Sequence, residues 1–326
     1  MTKTVQAARF HSFGEPQDVL VVEPVQVPPP GPGQVRVRML AASINPADVN
    51  VVQGRYGLEM RLPSFCGNEG AGEVEELGRG VTELQLGQLV RPRPGVGCWR
   101  EELVADVERL LPLPAGLEPE QAASISVNPA TAWRMLSDFA TLQPGDWVAQ
   151  NAATSAVGRA VIQLCEHRGL RSLNVVRRPE AIPELLALGA DRVVLESEPL
   201  VPAMVKGMAP RLALNAVGGE SASRLAKLLG RRGAMVTYGA MARKPLTLSN
   251  GPLIFKELSF HGFWITGWYR RAEPRAVSEM LEGLAELYAS GALSTQVAQR
   301  YPLEQLRQAV AHSQREGRRG KVLLTF

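Results

Sequence analysis

The sequence predicts an α/β protein of two domains, the first rich in strands and the second alternating strand and helix around a doubly wound parallel sheet. Three observations carry this expectation. Asp146–Gly169, DWVAQNAATSAVGRAVIQLCEHRG, reads as strand, tight turn and amphipathic helix, with apolar Val157, Val161, Ile162, Leu164 and Cys165 on the helical period. A second apolar strand, Leu173–Val176, follows, so the segment has the length of a right-handed βαβ crossover. The N-terminal stretch instead alternates apolar and polar residues between turns rich in Gly and Pro.

In chain order, Val5–Phe10, Val19–Val25 and Gln34–Ala42 read as strands, parted by the Gly14, Glu15, Pro16 turn and the stiff run Pro28–Gly33. Ser43–Val81 begins as polar loop and short helix, then returns to strand at Gly70–Leu77; Gln88–Arg91 adds a short strand. From Gln121 the pattern changes to helix and strand in alternation. A helix is expected over Pro129–Phe139, with Trp133, Leu136 and Phe139 on one face and Asn128 before it as a cap. After the central βαβ unit come a helix at Pro179–Leu188, strands at Asp191–Leu195 and Arg211–Ala216, a helix at Ala222–Leu229 and a strand at Ala234–Tyr238. Helices Ala276–Ser290 and Leu303–Glu316 and a strand Lys321–Phe326 would return the chain to its first domain. The expected domains are therefore residues 1–120 with 272–326, and residues 121–271.

The chain has 326 residues, 45% hydrophobic and 21% charged, which is ordinary for a globular protein with a sizeable core. Its net charge of +4 is spread in pairs, Arg177 with Arg178, Arg231 with Arg232, Arg270 with Arg271 and Arg318 with Arg319. Dispersed pairs suit anionic small molecules or acidic partners and argue against a nucleic-acid stripe. Cys66, Cys98 and Cys165 have neither metal-site nor disulfide spacing, so a reduced compartment is expected. No apolar run approaches the ~18 residues of a membrane span. No secretion signal or transit peptide is read at the N-terminus, so the expectation is a cytoplasmic protein or a processed mitochondrial form.

The turn in the βαβ unit suits a dinucleotide pyrophosphate, because small residues admit the backbone and a helix N-terminus supplies free N–H groups. Thr154, Ser155, Ala156, Val157 and Gly158 would form it. The glycine fingerprint is incomplete, since AATSAVG holds Gly158 alone. An NAD site would place Asp or Glu at the end of the second strand, about 20 residues on, to hold the ribose 2′-hydroxyl. Arg177 and Arg178 stand there instead, beginning nineteen residues after Gly158. Guanidinium groups bind a 2′-phosphate that a carboxylate would repel, so NADPH is expected over NADH.

Asn45–Gly72, the segment VNPATAWRML at Val127–Leu136, LNVVRR at Leu173–Arg178, MVTYGAM at Met235–Met241 and FHGFW at Phe260–Trp264 together resemble a medium-chain dehydrogenase/reductase. Within that superfamily they are similar to the NADPH-dependent 2-enoyl thioester reductases of the mitochondrial type, in order and over nearly the whole chain. The resemblance implies a GroES-like β-rich catalytic domain made from both ends of the chain, a Rossmann domain inserted between them, an active site in the cleft, and a homodimer through an edge strand of the Rossmann sheet. It implies cofactor contacts from Asn128, from Tyr238, Gly239, Ala240 and Met241, from Phe263, Trp264, Ile265 and Thr266, and from Lys321. Trp268 is expected as a pocket wall, and Arg270 and Arg271 as partners of the phosphates of CoA or phosphopantetheine.

The chain departs from the zinc-dependent members. Ser43, Ile44 and Asn45 stand where those enzymes place a Cys, and Gly67, Asn68 and Glu69 where they place G-H-E; Cys98 is isolated where they carry a four-cysteine lobe. No metal is expected, and Glu69 reads as a structural carboxylate. A zinc-free reductase needs another acid, and Tyr56 in VVQGRYGLEM matches the proton-donating tyrosine of the family. Hydride would add to Cβ of an α,β-unsaturated thioester and a phenol, protonated at pH 7, would supply the proton at Cα. Asn45 and Asp48 would orient this group or the substrate. The expected substrate is a trans-2-enoyl thioester on CoA or acyl carrier protein. Two alternatives stand beside it: a quinone or enone oxidoreductase of the same superfamily, and an NADPH-binding sensor or structural protein without catalysis. Cys66, where the family carries Gly, and the incomplete glycine motif favour the alternatives.

Overall fold

The computed structural model describes residues 1–57, 60–198 and 207–326. It divides into two compact units, one of Met1–Val127, Leu281–Ala289 and Ser294–Phe326, the other of Asn128–Met280 and Ser290–Leu293. Boundaries expected after residues 120 and 271 compare with divisions after 127 and 280. A short helix, Pro119–Ala122, packs on strands of the first unit. At the other end one helix runs unbroken from Pro274 to Ala289, so no loop marks residue 272.

The first unit opens with β1 (Lys3–Phe10), α1 (Pro16–Val19), β2 (Leu20–Val27), β3 (Gln34–Ser43), α2 (Pro46–Val52), β4 (Ser64–Phe65), β5 (Gly70–Leu77), β6 (Leu89–Pro92), β7 (Glu102–Asp106), β8 (Leu110–Pro112) and α3 (Pro119–Ala122). The second unit follows with α4 (Asn128–Asp138), β9 (Trp147–Gln150), α5 (Ala156–His167), β10 (Arg171–Val176), α6 (Ile182–Ala187), β11 (Arg192–Leu195), β12 (Leu212–Asn215), α7 (Gly219–Leu228), β13 (Ala234–Thr237), α8 (Asn250–Phe255), β14 (Ser259–Gly262) and α9 (Ile265–Arg271). Then α10 (Pro274–Ala289) leads to β15 (Val297–Pro302), α11 (Leu306–Ser313) and β16 (Lys321–Thr325) of the first unit.

Among the described residues the first unit holds a sheet in the order β2-β1-β4 and a larger one in the order β15-β16-β3-β5-β6-β8, with β7 also on β3. Strand β16 enters antiparallel to β3, pairing Leu323 with Ser43 and Thr325 with Ala41. The chain end is thereby laid beside the segment that leads into α2. The unit's core gathers Phe10, Leu20, Met39, Trp99, Leu103 and Ile44. Burial of such side chains is worth about 1.5–3 kcal/mol each.

The second unit is a parallel sheet in the order β11-β10-β9-β12-β13-β14, with neighbours in register from Leu173 beside Arg192 to Thr237 beside Gly262. Its inner strands are apolar and buried on both faces, as parallel strands covered by helices must be. Edge strand β14 is mostly exposed. The order reverses between β9 and β12, which is where an open sheet of this kind takes its ligand. No helix among the described residues is long and apolar enough to cross a membrane.

Several expected elements differ in detail. Pro179–Leu188 splits into a 3-10 turn, Pro179–Ala181, and α6, because Pro183 cannot donate within the first turn of a longer helix. Leu303–Glu316 likewise begins as a 3-10 turn and ends at Ser313. On α4 the buried face is Thr131, Ala132, Met135 and Leu136; Trp133 lies half-buried under the Arg168 guanidinium, and Phe139 lies past the helix end against His261 and Phe263. Helix α9 and strands β14 and β15 have no clear period in the sequence, and tertiary pairing makes them.

Candidate functional site

In the first unit the polar groups converge on the start of α2. Asn45 precedes Pro46, and its N–H donates to Asp48 Oδ2 at 2.7 Å, a first-turn cap with proline where no donor is needed. Asp48 Oδ1 accepts from the Asn68 N–H at 2.7 Å and its side chain at 2.8 Å. Asn45 Nδ2 donates to Glu69 Oε2 at 3.0 Å, and Glu69 Oε1 accepts from the Ser126 N–H, the Ser126 hydroxyl and the Val127 N–H at 2.7–3.0 Å. Lys321, from β16, donates its ammonium to Asn45 Oδ1 at 2.6 Å. All of Asn45, Asp48, Glu69 and Lys321 are buried.

Burial sets the electrostatics of this cluster. It pushes the Asp48 carboxyl up to about 6, against the N–H groups of Asn45 and Asn68 that favour the charged form. It pushes the Lys321 ammonium down to about 8, against the attraction of Glu69 and Asp48. The Cys66 thiol, also buried, is pushed well up and is unreactive.

Helix α2 ends in a Schellman motif: the Gly54 N–H bonds the Val51 carbonyl at 3.0 Å and the Arg55 N–H bonds the Asn50 carbonyl at 2.8 Å. Gly54 takes φ 68°, which suits glycine. Thus Gln53-Gly54-Arg55 is a helix stop, and Tyr56 comes immediately after it, half-buried against the first unit's core. The cap at Asn45 and the stop at Gly54 fix both ends of the element that presents Tyr56.

In the second unit the β9–α5 turn is tight. Ser155 caps α5, its hydroxyl accepting from the Gly158 N–H at 3.1 Å, and the N–H groups of the first turn beyond it have no partner within the helix. A Cβ on Gly158 would lie 2.6 Å from the Ala153 carbonyl oxygen and 2.7 Å from its Cα, so the backbone approaches here as a pyrophosphate cradle requires. Gly158→Ala is therefore expected to cost about 1–3 kcal/mol of stability by overpacking and to weaken dinucleotide binding. Urea unfolding with a parallel cofactor titration checks this, and an unaffected variant would show that the turn has slack.

Buried amides missed in the sequence hold this end of the sheet. Asn151 donates to Asn215 Oδ1 at 2.9 Å and to Ser221 Oγ at 3.1 Å, and its Oδ1 accepts from the Ala216 N–H at 2.8 Å, so it ties the turns after β9 and β12 together across the switch point. Gln150 bridges the Gly158 carbonyl and Asn174. A polar residue at the end of each apolar strand was the available signal.

Tyr238–Met241 follows β13, with the Tyr238 and Met241 N–H groups on the Asn215 and Ala216 carbonyls. The Tyr238 hydroxyl is buried near Ser155, which raises the phenol's pKa. Gly239 lies close against Ala216, Ala240 is exposed and Met241 is 62% exposed. Phe263 packs edge-on to Phe139, Trp264 caps α9, and Ile265 and Thr266 are buried in its first turn. Asn128 is the first residue of α4. Thr154 is exposed, whereas Val157 is buried inside the turn. Arg177, at the end of β10, borders a cavity of about 370 Å³; Arg178 leads into the next turn, away from that lining. Trp268 lies under Arg134 at 4.6 Å, Arg270 over Trp264 at 5.5 Å, and Arg271 is exposed.

The first unit's donors do not fit zinc. Amides, one carboxylate and an ammonium meet where thiolates and imidazole would be needed, and among the described residues no group of three or more His, Cys, Asp or Glu could hold a metal ion. The second unit's turn and cavity fit a phosphorylated dinucleotide, on the close approach at Gly158 and the arginine at the second strand's end.

The family profile for the alcohol dehydrogenase GroES-like domain matches residues 31–115, and that for zinc-binding dehydrogenase matches residues 188–324. The chain is 42% identical over 331 aligned positions to the mitochondrial enoyl-[acyl-carrier-protein] reductase of Homo sapiens, covering 99% of this chain and 89% of that protein. The structure of Etr1p with NADP and crotonyl-CoA superposes with a TM-score of 0.92 at 31% identity, covering 99% of this chain and 100% of that one. The Etr1p/Etr2p 2-enoyl thioester reductase heterodimer of Candida tropicalis gives 0.91 at 31% identity and the same coverage. A quinone oxidoreductase of Pseudomonas syringae gives 0.87 at 25% identity, covering 99% and 100%.

Proposed function

The chain belongs to the mitochondrial-type enoyl-[acyl-carrier-protein] reductases of the medium-chain dehydrogenase/reductase superfamily, and from that membership we propose that it reduces the C=C bond of trans-2-enoyl thioesters with NADPH. The observation that carries this reading is the metal-unsuited polar cluster of the first unit with Tyr56 at the end of the helix it caps. A reductase without a Lewis acid must draw its proton from a side chain, and this is the side chain offered.

NADPH supplies a hydride to Cβ of the enoyl group, and the C=C electron pair moves toward the thioester oxygen as an enolate. Tyr56 then gives its hydroxyl proton to Cα, completing the saturated thioester, and recovers a proton from water. Asn45, held from both sides by Lys321 and Glu69, keeps α2 and hence Tyr56 in place. In the second unit we assign Thr154, Ser155, Ala156, Val157 and Gly158 to the pyrophosphate, Arg177 to the 2′-phosphate, and Asn128, Tyr238–Met241 and Phe263–Thr266 to the rest of the dinucleotide. Trp268 serves as an acyl-pocket wall, and exposed Arg270 and Arg271 meet the carrier's phosphates. Lys321 acts through Asn45, since its ammonium is engaged there.

We further propose a homodimer through β14, an exposed edge strand beside the exposed Leu253, Ile254 and Phe255 of α8. The three free, buried cysteines suit a reducing compartment, the cytoplasm or the mitochondrial matrix. NADPH oxidation with crotonyl-CoA and longer trans-2-enoyl-CoAs, beside a benzoquinone, tests the function. Turnover of the thioesters and not the quinone is expected; turnover of the quinone alone would place the chain with the quinone oxidoreductases.

A further inference from the structure

The two arginines after β10 are neighbours in sequence but not in use. Arg177 borders a cavity of about 370 Å³ whose described lining is Arg177, Glu196, Ser197, Glu220, Ser221 and Arg224. These residues come from the ends of the second and third strands and from α7, which follows the fourth. They therefore gather beside the switch point, on the side where the adenosine end of a dinucleotide lies. The second cation of this cavity is Arg224. Arg178 is exposed at the entry to the turn Pro179–Ala181.

Arg224 is braced. Its Nη1 donates to the Glu196 backbone carbonyl at 2.7 Å, which fixes the guanidinium across from α7 to the end of β11. Its Nη2 reaches Glu220 Oε2 at 3.3 Å, an i,i+4 pair whose carboxylate side chain is 89% exposed. Pairs of that kind contribute little and yield to a stronger anion. A guanidinium has five N–H donors, so these two bonds leave others for a ligand.

The charge count makes Arg224 decisive. Two guanidinium groups, Arg177 and Arg224, face two carboxylates, Glu196 and Glu220, for a sum of zero. Without Arg224 the sum is one negative charge, which repels a phosphate monoester carrying −1.5 to −2. With it, a fork from each arginine and the hydroxyls of Ser197 and Ser221 are of the right chemistry for the dianion.

Resting on the reading of the chain as an NADPH-dependent enzyme, we propose that Arg177 and Arg224 form the 2′-phosphate clamp, that Arg224 sets the preference for NADPH over NADH, and that Arg178 takes no part. Glu220 weakens the clamp, because its carboxylate competes for Arg224.

Direct binding tests this without turnover: NADPH and NADH titrated by nicotinamide fluorescence, and 2′,5′-ADP against 5′-AMP by calorimetry, on the wild-type chain and single variants. Arg224→Gln is expected to weaken NADPH and 2′,5′-ADP about 30-fold while NADH and 5′-AMP change by less than about twofold. Glu220→Gln should tighten NADPH several-fold and leave NADH unchanged, and Arg178→Gln should alter neither. The proposal is overturned if Arg224→Gln weakens NADPH and NADH alike, which is a structural effect, if it leaves their ratio unchanged, or if Arg178→Gln abolishes the preference instead. A wild-type chain that binds both dinucleotides equally overturns the NADPH reading itself. Wild-type preference retained in Arg224→Gln overturns only the clamp.

Discussion

Tyr56→Phe is expected to lower kcat for crotonyl-CoA about 100- to 1,000-fold, with NADPH affinity unchanged within about twofold. The variant keeps the ring that packs on the first unit's core and removes one oxygen, so neither folding nor the second unit's turn and cavity is disturbed. A proton delivered by a positioned side chain contributes about 10²–10⁴ in rate, and adventitious water restores part of it. Single-turnover kinetics at saturating substrate, with a separate cofactor titration, read the two quantities. Full activity in the variant would make Tyr56 an ordinary residue of the segment after α2, and its protonating role would have to pass to another group.

Lys321→Met is expected to destabilise the chain by about 3 kcal/mol at pH 7, because it leaves the buried carboxylates of Asp48 and Glu69 without their cation. The pH dependence identifies the cause. Lys321 has its folded pKa depressed to about 8 from an ordinary 10.5, so its contribution to stability is present above 10.5 and lost as pH falls through 8. The wild type should therefore gain stability between pH 8 and about 10, and the variant should not. Asp48 has its folded pKa raised to about 6 from 3.8, so its contribution is present below 3.8 and lost as pH rises through 6. Without the ammonium that pKa rises further. The variant's deficit should then shrink at pH 5, where Asp48 takes up a proton, and widen at pH 9.5. Urea unfolding at the three pH values measures this, and a deficit constant with pH would reduce Lys321 to a packing role. The variant's kcat should fall with its stability, since Asn45 and the start of α2 lose their support.

Much of this protein was legible before folding. Apolar periodicity marks the βαβ unit from Trp147 to Val176, because a strand buried on both faces and a helix buried on one leave different periods in the chain. The Gln53-Gly54-Arg55-Tyr56 order is legible too, since a helix stop needs glycine at positive φ and its chemistry is local. The absence of zinc-type donors at Ser43–Asn45 and Gly67–Glu69 needs only residue identity.

What tertiary structure decided are the partnerships made over long chain separations. Lys321 and Asn45 meet only because β16 pairs with β3, and nothing local to either residue records that pairing. Arg224 displaces Arg178 as the second cation of the cavity because α7 passes the ends of β10 and β11, whereas sequence proximity favoured the adjacent arginine. Strands β14 and β15 likewise take their form from neighbours. Period, caps and residue chemistry are short-range properties written in the chain itself; which charge meets which in a low-dielectric interior depends on topology, and topology brings together residues that the sequence keeps far apart.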